Sequence, residues 1–415
     1  MVKKFKYKKN LRCRICNNKD LIEYLDLGMH PPSNSFIKKK DFSKEQFFPL
    51  IVQLCESCGL SQLNTVVSAN DIFDEYLYLS STSKALVKHY KEMVEKILKK
   101  IRPKKKSLIV DIGCNDGITL KNYSNNYNIL GIEPSSSGLF AKKQGIKIEK
   151  IFFNKKNANN LLLKYGKAKI ITATNVFAHV DDIQDFVSGV SKFLDTNGVF
   201  IIEFPYLKNM LEDVIFDVIY HEHLSYLSVT PLYKLFSMYK MNIFDIEKIN
   251  IGASGPALRV YVSHRNAKYK QKKIVKIYLN MEKKLNFKKI DTYLNFSDKV
   301  NLFKENILKK LDSLKCNNKL IGAYGAPAKG NTMLNYLKLN SKLITAVADN
   351  TPLKIGKFTP GSHIPIVSDS EFEKLGIEYA LLLSWNYVDF FVNNSSYIKR
   401  SGKFIVPFPK INIVP

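Results

Sequence analysis

Four cysteines fall into two pairs with the spacing of a metal site, Cys13 with Cys16 and Cys55 with Cys58. The two thiolates of such a pair reach one ion from a tight turn, and two pairs complete the tetrahedral shell that zinc prefers. All four positions are cysteine, so no open coordination site remains for a catalytic metal. The alternatives are disulfides or a redox-active pair, and a redox motif needs only one pair. The spacing predicts structural zinc.

A glycine-containing loop, residues 111–117 (DIGCNDG), follows the apolar run SLIV and precedes a helix-like segment. Gly113 and Gly117 permit a tight turn and a close ligand approach, while Cys114 is interpreted as a small apolar filler. Glu133 ends the next apolar run, where an acidic side chain commonly accepts hydrogen bonds from ribose hydroxyls. The D-x-G-x-x-x-G form favours S-adenosylmethionine over NAD. The candidate cofactor-binding residues are Asp111, Gly113, Asn115, Gly117, Glu133 and Asn175.

Histidines concentrate in two places that suit acid–base chemistry. His179 follows an apolar run, at the edge of the sheet where ligands usually bind, and residues 220–223 read Tyr-His-Glu-His. The second segment lacks the i, i+4 histidine pair of a zinc protease, so its residues are either general bases or hydrogen-bonded core groups. The three histidines interpreted as structural are His30, His89 and His264.

The sequence YGAPAKGN, residues 324–331, joins an apolar run to a helix in the C-terminal part. Glycines before a helix N-terminus form an anion cradle, and Lys329 is a candidate phosphate partner. A plain turn with a surface lysine is the alternative. Asp349, which closes the next apolar run, completes a second candidate nucleotide site.

The elements that position these residues follow from hydrophobic periodicity. Residues 84–100 and 268–317 have helical spacing, whereas residues 107–205 and those from 319 onward alternate between apolar strands and helices. That alternation predicts βαβ units with parallel sheets. We therefore predict an α/β protein of three domains: a zinc-binding domain at 1–75, a Rossmann-like domain at 76–265 and a second Rossmann-like domain at 266–415.

Composition limits the class of protein further. The 415 residues carry a formal charge of +27 and are 45% apolar, which excludes global disorder. The lysines are spread along the chain without a recognised nucleic-acid module, so we expect no nucleic acid as partner, and the positive field instead favours anionic small molecules. No stretch approaches the length of a membrane span, and the basic N-terminus lacks an apolar signal region. We expect a cytoplasmic monomer without a membrane partner.

Several motifs together resemble one family, the sugar C-methyltransferases that modify keto intermediates of nucleotide-linked deoxysugars. The resemblance extends over nearly the full length, through CRIC, LDLGMHPPSNSF, FPLIVQLCESCGLSQL, IGCNDG, NVFAHVDD, IEFPY, YHEHLSYLS, YGAPAKGNT, DNTPLKIGKFTPGSHIPI and LLLSWNY. The chain departs from the usual pattern at Asp111, where Glu is usual, at Cys114, where Ser is usual, and in GASGPALRVYV.

The resemblance implies structural zinc, a central class I methyltransferase domain that binds S-adenosylmethionine, and a C-terminal Rossmann-like domain that helps to bind a nucleotide sugar, typically dTDP-linked. It implies that Tyr220, Glu222, His223 and His179 line the reaction centre. The candidate substrate-binding residues are Tyr76, Tyr78, Tyr324, Gly325, Lys329, Asn331 and Trp385.

We expect methyl transfer to a sugar carbon next to a ketone, a carbon that is a poor nucleophile until its proton is removed. His223 is the predicted base because imidazole is neutral near pH 7, and Glu222 competes if burial raises its pKa. Tyr220 suits hydrogen-bond donation to an oxyanion. Methylation of a sugar hydroxyl and a non-catalytic nucleotide-sugar-binding protein are the alternatives.

Overall fold

The computed structural model describes residues 4–73, 79–252 and 255–415. The predicted substrate-binding residues Tyr76 and Tyr78 lie outside the described residues. Within them the strands are β1 Tyr7–Lys9, β2 Ile22–His30, β3 Phe48–Cys55, β4 Leu60–Leu63, β5 Thr65–Val67, β6 Leu108–Ile112, β7 Asn128–Ile132, β8 Lys147–Glu149, β9 Ala168–Thr174, β10 Leu194–Pro205, β11 Ser225–Tyr226, β12 Met241–Gly252, β13 Gly255–His264, β14 Ile321–Tyr324, β15 Val347–Ala348, β16 Ile366–Val367, β17 Tyr379–Leu382, β18 Lys403–Val406 and β19 Asn412–Val414.

The first α-helix of the described residues follows β5, and the last lies in the C-terminal part. They are α1 Ala69–Phe73, α2 Lys84–Ile101, α3 Gly138–Lys143, α4 Lys155–Tyr165, α5 Ile183–Phe193, α6 Leu207–Glu212, α7 Val229–Met238, α8 Lys273–Lys284, α9 Ile290–Cys316, α10 Ala328–Tyr336, α11 Asp369–Lys374, α12 Val388–Asn394 and α13 Ser396–Lys399. No helix in this part of the chain combines the length and the hydropathy needed to cross a bilayer.

The N-terminal module is built on a small antiparallel sheet in the order β11-β4-β3-β2. Strand β3 carries apolar residues on both faces and is almost wholly buried. Cys55, its last residue, is therefore buried as well. The β3–β4 turn contains Cys58 and then Gly59, whose φ of +82° lies in the left-handed region that glycine adopts without strain. Strand β11 joins this sheet from the central part of the chain, directly after the Tyr220–His223 segment.

The central sheet has the order β12-β13-β10-β9-β6-β7-β8 in the described residues. Strands β6 to β10 are parallel, while β13 runs antiparallel to β10 and β12 antiparallel to β13. Helix α2 packs an apolar face of Leu86, Met93 and Ile97 against one side of the sheet. Strand β6 lies between β7 and β9, so the order of the strands along the chain reverses at β6. A crevice forms at the carboxyl ends of the strands at such a switch point.

The C-terminal part contains a second sheet, in the order β16-β15-β14-β17-β18-β19 among the described residues. Strands β14 to β18 are parallel and β19 is antiparallel. Helices α8 and α9 connect this sheet to the central one. The N-terminal module also contacts the C-terminal part, where the Phe42 ring stacks on His363 at 3.7 Å and Glu45 accepts a hydrogen bond from the same imidazole at 2.7 Å. Through this contact and through the pairing of β11 with β4, the N-terminal module touches both the C-terminal part and the central part of the chain.

Candidate functional site

The four predicted metal ligands lie together in the N-terminal module. Their sulfur atoms are all within 4.8 Å of one another, and the Cys13–Cys58 and Cys16–Cys55 sulfurs are 3.4 and 3.5 Å apart. A tetrahedron with zinc–sulfur bonds of about 2.3 Å has edges of about 3.8 Å, so the cluster has the size that zinc requires. Hydrogen bonding to Cys55 raises the pKa of Cys13 to about 12, so four thiolates need a cation to share this space.

The glycine loop lies at the switch point of the central sheet. Gly113 and Gly117 have φ values of +67° and +81°, and a Cβ at Gly113 would lie 2.3 Å from a methyl carbon of Val176. Glycine is thus required at 113 both by the backbone conformation and by packing against the loop after β9. Asn175 has a φ of +55°, and its amide N–H donates to the Glu203 carbonyl oxygen at 2.8 Å.

Glu133 connects the loops that follow β6 and β7. One carboxylate oxygen accepts the backbone N–H of Asn115 and the other accepts that of Ser135, each at 2.9 Å. A carboxylate oxygen accepts more than one hydrogen bond, so capacity for ribose hydroxyls remains. Asp111 instead faces the sheet interior, where its carboxylate accepts from Thr172 at 2.5 Å and burial raises its pKa to about 7.

A contact that the sequence analysis did not find covers this loop. The backbone N–H groups of Ser80 and Ser81 donate to the side chains of Asn115 and Asp116 at 3.0 and 2.9 Å. The segment before α2 therefore lies over the crevice. Asn115 is thus engaged through its side chain as well as its backbone, which fixes the conformation of the loop.

The Tyr220–His223 segment forms a buried polar pair. The imidazole Nδ1 of His223 is 2.7 Å from the Val218 carbonyl oxygen, which only accepts, so Nδ1 carries the proton. Nε2 then holds a lone pair and accepts from the Tyr220 hydroxyl at 2.9 Å. The His179 ring lies edge-on to His223 with 4.8 Å between centroids, and burial lowers the pKa of both imidazoles, that of His223 to about 4. The segment thus presents a neutral imidazole in one tautomer.

Glu222 lies in the same segment with a different environment. It is buried, and its Oε1 accepts a hydrogen bond from the side-chain amide of Asn34 at 2.6 Å. Burial raises the pKa of Glu222 to about 7, although the Asn34 amide opposes that shift. His221 is also buried and lies 3.2 Å from the Pro49 carbonyl oxygen, so it serves the N-terminal module rather than the pair above.

A cleft of about 310 Å³ opens beside Glu222, His179 and His221. Its other wall is the N-terminal module and the start of the following segment, so the cleft lies between domains. The remaining described lining residues are Lys6, Tyr7, Lys8, Val66, Val67, Ser68, Ala69, Ile72, Phe73, Asp181 and Leu224.

Two of the C-terminal candidates, Lys329 and Trp385, lie next to residues 216–219. The Lys329 ammonium lies 3.8 Å from the centroid of the Trp385 ring and donates to the Asn386 side-chain oxygen at 2.6 Å. The Trp385 indole N–H donates to Asp217 at 2.7 Å. Burial lowers the pKa of Lys329 to about 8 and raises that of Asp217 to about 6, which leaves both groups charged between those values. Lys329 is therefore buried against protein groups and is not the surface lysine of a plain turn.

The other C-terminal candidates divide between core and contact roles. Tyr324 is buried among aromatic rings, and Gly325 has a φ of +81° with a Cβ position 2.3 Å from the Ser384 hydroxyl oxygen. Asn331 donates to the Ser33 carbonyl oxygen at 2.7 Å, which connects helix α10 to the N-terminal module. Asp349 accepts a hydrogen bond from the Ala326 N–H at 2.8 Å, so a protein carboxylate already binds this backbone donor of the 324–331 turn.

Comparison with known proteins follows the same division of the chain. Three family models match consecutive parts: "Putative zinc binding domain" at residues 13–73, "Methyltransferase domain" at 86–241 and "C-methyltransferase C-terminal domain" at 252–409. A curated relative, C-methyltransferase NovU of Streptomyces niveus, is 28% identical over 406 residues, which cover 97% of this chain and 96% of the relative. The chain is an S-adenosylmethionine-dependent C-methyltransferase. The resemblance inferred from the motifs is confirmed.

Two solved structures each match less than half of this C-methyltransferase. An S-adenosylmethionine-dependent methyltransferase from Clostridium acetobutylicum is 14% identical with a TM-score of 0.34, and the match covers 43% of the enzyme and 92% of that chain. The magnesium protoporphyrin IX methyltransferase ChlM from Synechocystis, solved with bound SAM, is 13% identical with a TM-score of 0.32, and covers 47% and 88%. The class I core is recognised instead from the strand order and the family models.

The predicted fold and cofactors of the C-methyltransferase are confirmed. The enzyme is an α/β protein with a zinc-binding N-terminal module, a class I methyltransferase core and a C-terminal α/β domain. It uses S-adenosylmethionine and carries structural zinc, for which the four-sulfur cluster provides the donor set. Sequence reasoning did not find Asn34 or Asp217, although Asn34 lies within the quoted motif LDLGMHPPSNSF.

Proposed function

We propose that the enzyme transfers the methyl group to a carbon next to the ketone of a nucleotide-linked keto sugar, through an enolate. The observation that carries this proposal is the buried Tyr220–His223 pair, because a neutral imidazole with one defined lone pair suits removal of a carbon-bound proton. Transfer to a hydroxyl requires only mild deprotonation. The resemblance to sugar C-methyltransferases supplies the substrate class, with dTDP as the typical nucleotide.

The proposed proton transfer starts at Nε2 of His223. This nitrogen takes the α-proton, and the electron pair of the broken C–H bond moves into an enolate whose charge rests on the former ketone oxygen. The Val218 carbonyl oxygen, 2.7 Å from Nδ1, fixes the ring and stabilises the imidazolium that forms. Burial lowers the pKa of His223 to about 4, and the negative enolate that develops beside the ring raises this pKa as the proton moves.

Tyr220 and Glu222 have different proposed roles in the same step. When substrate displaces the Tyr220–His223 hydrogen bond, the Tyr220 hydroxyl donates to the enolate oxygen. Glu222 borders the cleft with His179, where its carboxylate accepts a hydrogen bond from a sugar hydroxyl and orients the ring. Bound S-adenosylmethionine supplies the electrophilic methyl group, and Gly113, Gly117 and Glu133 are proposed to hold it.

The nucleotide sugar is proposed to lie between the methyltransferase core and the C-terminal domain. In support, the position of a Cβ on Gly255, at the start of β13, is 3.7 Å from the Trp385 ring, so the start of β13 lies against the C-terminal domain. Tyr76, Tyr78, Tyr324, Gly325, Lys329 and Asn331 stay proposed substrate contacts.

Exchange of the substrate α-proton into deuterated water, without methyl donor, tests the proposal. The wild-type enzyme should exchange that proton of a keto-sugar nucleotide, and His223→Asn should exchange it about 10²–10⁴-fold more slowly. Glu222→Gln is measured in parallel and His264→Asn is the matched control, since His264 lies on β13 outside the pair. Normal exchange by His223→Asn with loss in Glu222→Gln would identify Glu222 as the base. Methyl transfer to a hydroxyl without any exchange would refute the enolate.

A further inference from the structure

The hydrogen bond between Asn34 and Glu222 joins residues 188 positions apart in the chain. It is short, at 2.6 Å from the amide nitrogen to Oε1, and Asn34 belongs to the loop 31–36 of the zinc-binding module. Glu222 is 3% exposed. A buried carboxylate needs donors to hold its charge and its orientation. The zinc-binding module therefore reaches into the site that lies beside the methyltransferase core.

The loop that carries Asn34 is held from two sides. Within the loop, the Ser35 N–H donates to the Pro32 carbonyl oxygen at 3.0 Å. From the C-terminal domain, the Asn331 side chain donates to the Ser33 carbonyl oxygen at 2.7 Å, and this contact is buried. The residue next to Asn34 is thus fixed by helix α10.

Helix α10 holds the other side of the site as well. The Thr332 hydroxyl donates to the Ile219 carbonyl oxygen at 3.0 Å. Ile219 follows Val218, whose own carbonyl oxygen accepts from His223. Neighbouring residues of one helix therefore fix the backbone on which His223 depends and the loop that carries the partner of Glu222.

We propose that Asn34 is a positioning residue for Glu222, and that Asn331 of the C-terminal domain fixes Asn34 in place through Ser33. The proposal rests on the proposed function, because Glu222 is assigned there to orient the sugar. The amide holds Oε1, which leaves Oε2 as the acceptor for substrate. Zinc, by maintaining the fold of its module, and the C-terminal domain, by fixing the loop, both contribute to the geometry of one carboxylate.

The groups around Glu222 determine the pKa that a titration of its carboxyl group measures. Burial and the Asn34 amide are the two causes that act on its pKa, in opposite directions. His179 and His221 have lowered pKa values and are neutral near pH 7. The other titratable groups that line the cleft in the described residues are Lys6, Tyr7, Lys8 and Asp181.

A double-mutant cycle tests the positioning role. Asn34→Ala should lower kcat for methyl transfer about 10- to 100-fold, the worth of one hydrogen bond to a charged group. In a Glu222→Ala background, which offers no acceptor to the Asn34 amide, the same change should cost less than about twofold, because its effect passes through the carboxylate. Asn34→Gln keeps an amide and should recover part of kcat. Equal losses in both backgrounds would overturn the proposal.

A second measurement needs no substrate and separates this inference from the proposed function. Infrared titration of the full-length enzyme follows the carboxylic acid band of Glu222, which is assigned by its absence in Glu222→Gln. Asn34→Ala should raise the pKa of Glu222 that is obtained from this band, and Asn331→Ala should raise it less. An unchanged pKa in Asn34→Ala overturns the positioning role, whereas failure of wild-type α-proton exchange refutes only the proposed function.

The matched control is Asn64→Ala in the same module. Asn64 donates to Glu23 at 2.8 Å, so this variant also removes an asparagine–glutamate hydrogen bond, but away from the cleft. It should leave the pKa of Glu222 unchanged. A shift of the Glu222 band in Asn64→Ala as large as that in Asn34→Ala would mean general loosening of the module and would overturn the proposal.

Discussion

Replacement of Glu222 with Gln should stabilise the enzyme at high pH. Burial raises the pKa of the carboxyl group from 4.5 to about 7, a difference of about 2.5 units. At about 1.36 kcal/mol per unit, ionisation of Glu222 costs the native state about 3 kcal/mol. Gln remains neutral at every pH and still accepts from Asn34, so the variant avoids this cost.

The sign follows from which state binds the proton more tightly. Below about pH 4.5 the carboxyl is protonated in both states and contributes nothing. Between about pH 4.5 and 7 the unfolded chain loses its proton first, so native stability falls as pH rises. The advantage of Glu222→Gln over wild type should therefore grow from about 1 kcal/mol at pH 5 to about 3 kcal/mol at pH 8.

Urea unfolding at the two pH values, followed by circular dichroism, measures this change. Glu378→Gln is the control, because Glu378 is a half-exposed carboxylate paired with Lys319 on the surface. Its free energy of unfolding relative to wild type should change little between pH 5 and pH 8. A constant difference between Glu222→Gln and wild type at both pH values would refute the reasoning that burial alone raises this pKa.

Three further predictions concern the metal, the cofactor and the buried lysine. Cys55→Ser, or removal of zinc by a chelator, should unfold the N-terminal module, which metal analysis and circular dichroism would show; an intact metal-free module would contradict the zinc assignment. Glu133→Ala should weaken S-adenosylmethionine binding by about 1.5–3 kcal/mol in calorimetry, and unchanged affinity would remove Glu133 from the cofactor site. Lys329→Met leaves the Asp217 carboxylate buried without its nearby ammonium, so the variant should lose about 3–5 kcal/mol at pH 7, where both groups are charged, and less at pH 5, where Asp217 is protonated; equal losses in urea unfolding would mean that charge is not the cause.

Some chemistry of the enzyme can be predicted from the sequence because its geometry is local. The two CxxC turns, the glycine loop after β6 and the acidic residue after β7 each depend on a few adjacent residues. Hydrophobic alternation predicts the parallel sheets for the same reason, since the side-chain period of strands and helices is set by backbone geometry. The zinc, the methyltransferase core and S-adenosylmethionine follow from these features.

Burial and long-range pairing are decided only by the tertiary structure. The sequence predicts Lys329 as a phosphate partner, yet the fold buries its ammonium against Trp385, at a position 56 residues along the chain. Glu222 competes with His223 as base only if it is buried, and its burial depends on a loop 188 residues away. Electrostatic interactions strengthen as water is excluded, so the pKa of a side chain depends on neighbours that the chain order does not identify. Residue types therefore specify which reactions are available, and the packing of the three domains determines the protonation state in which each group takes part.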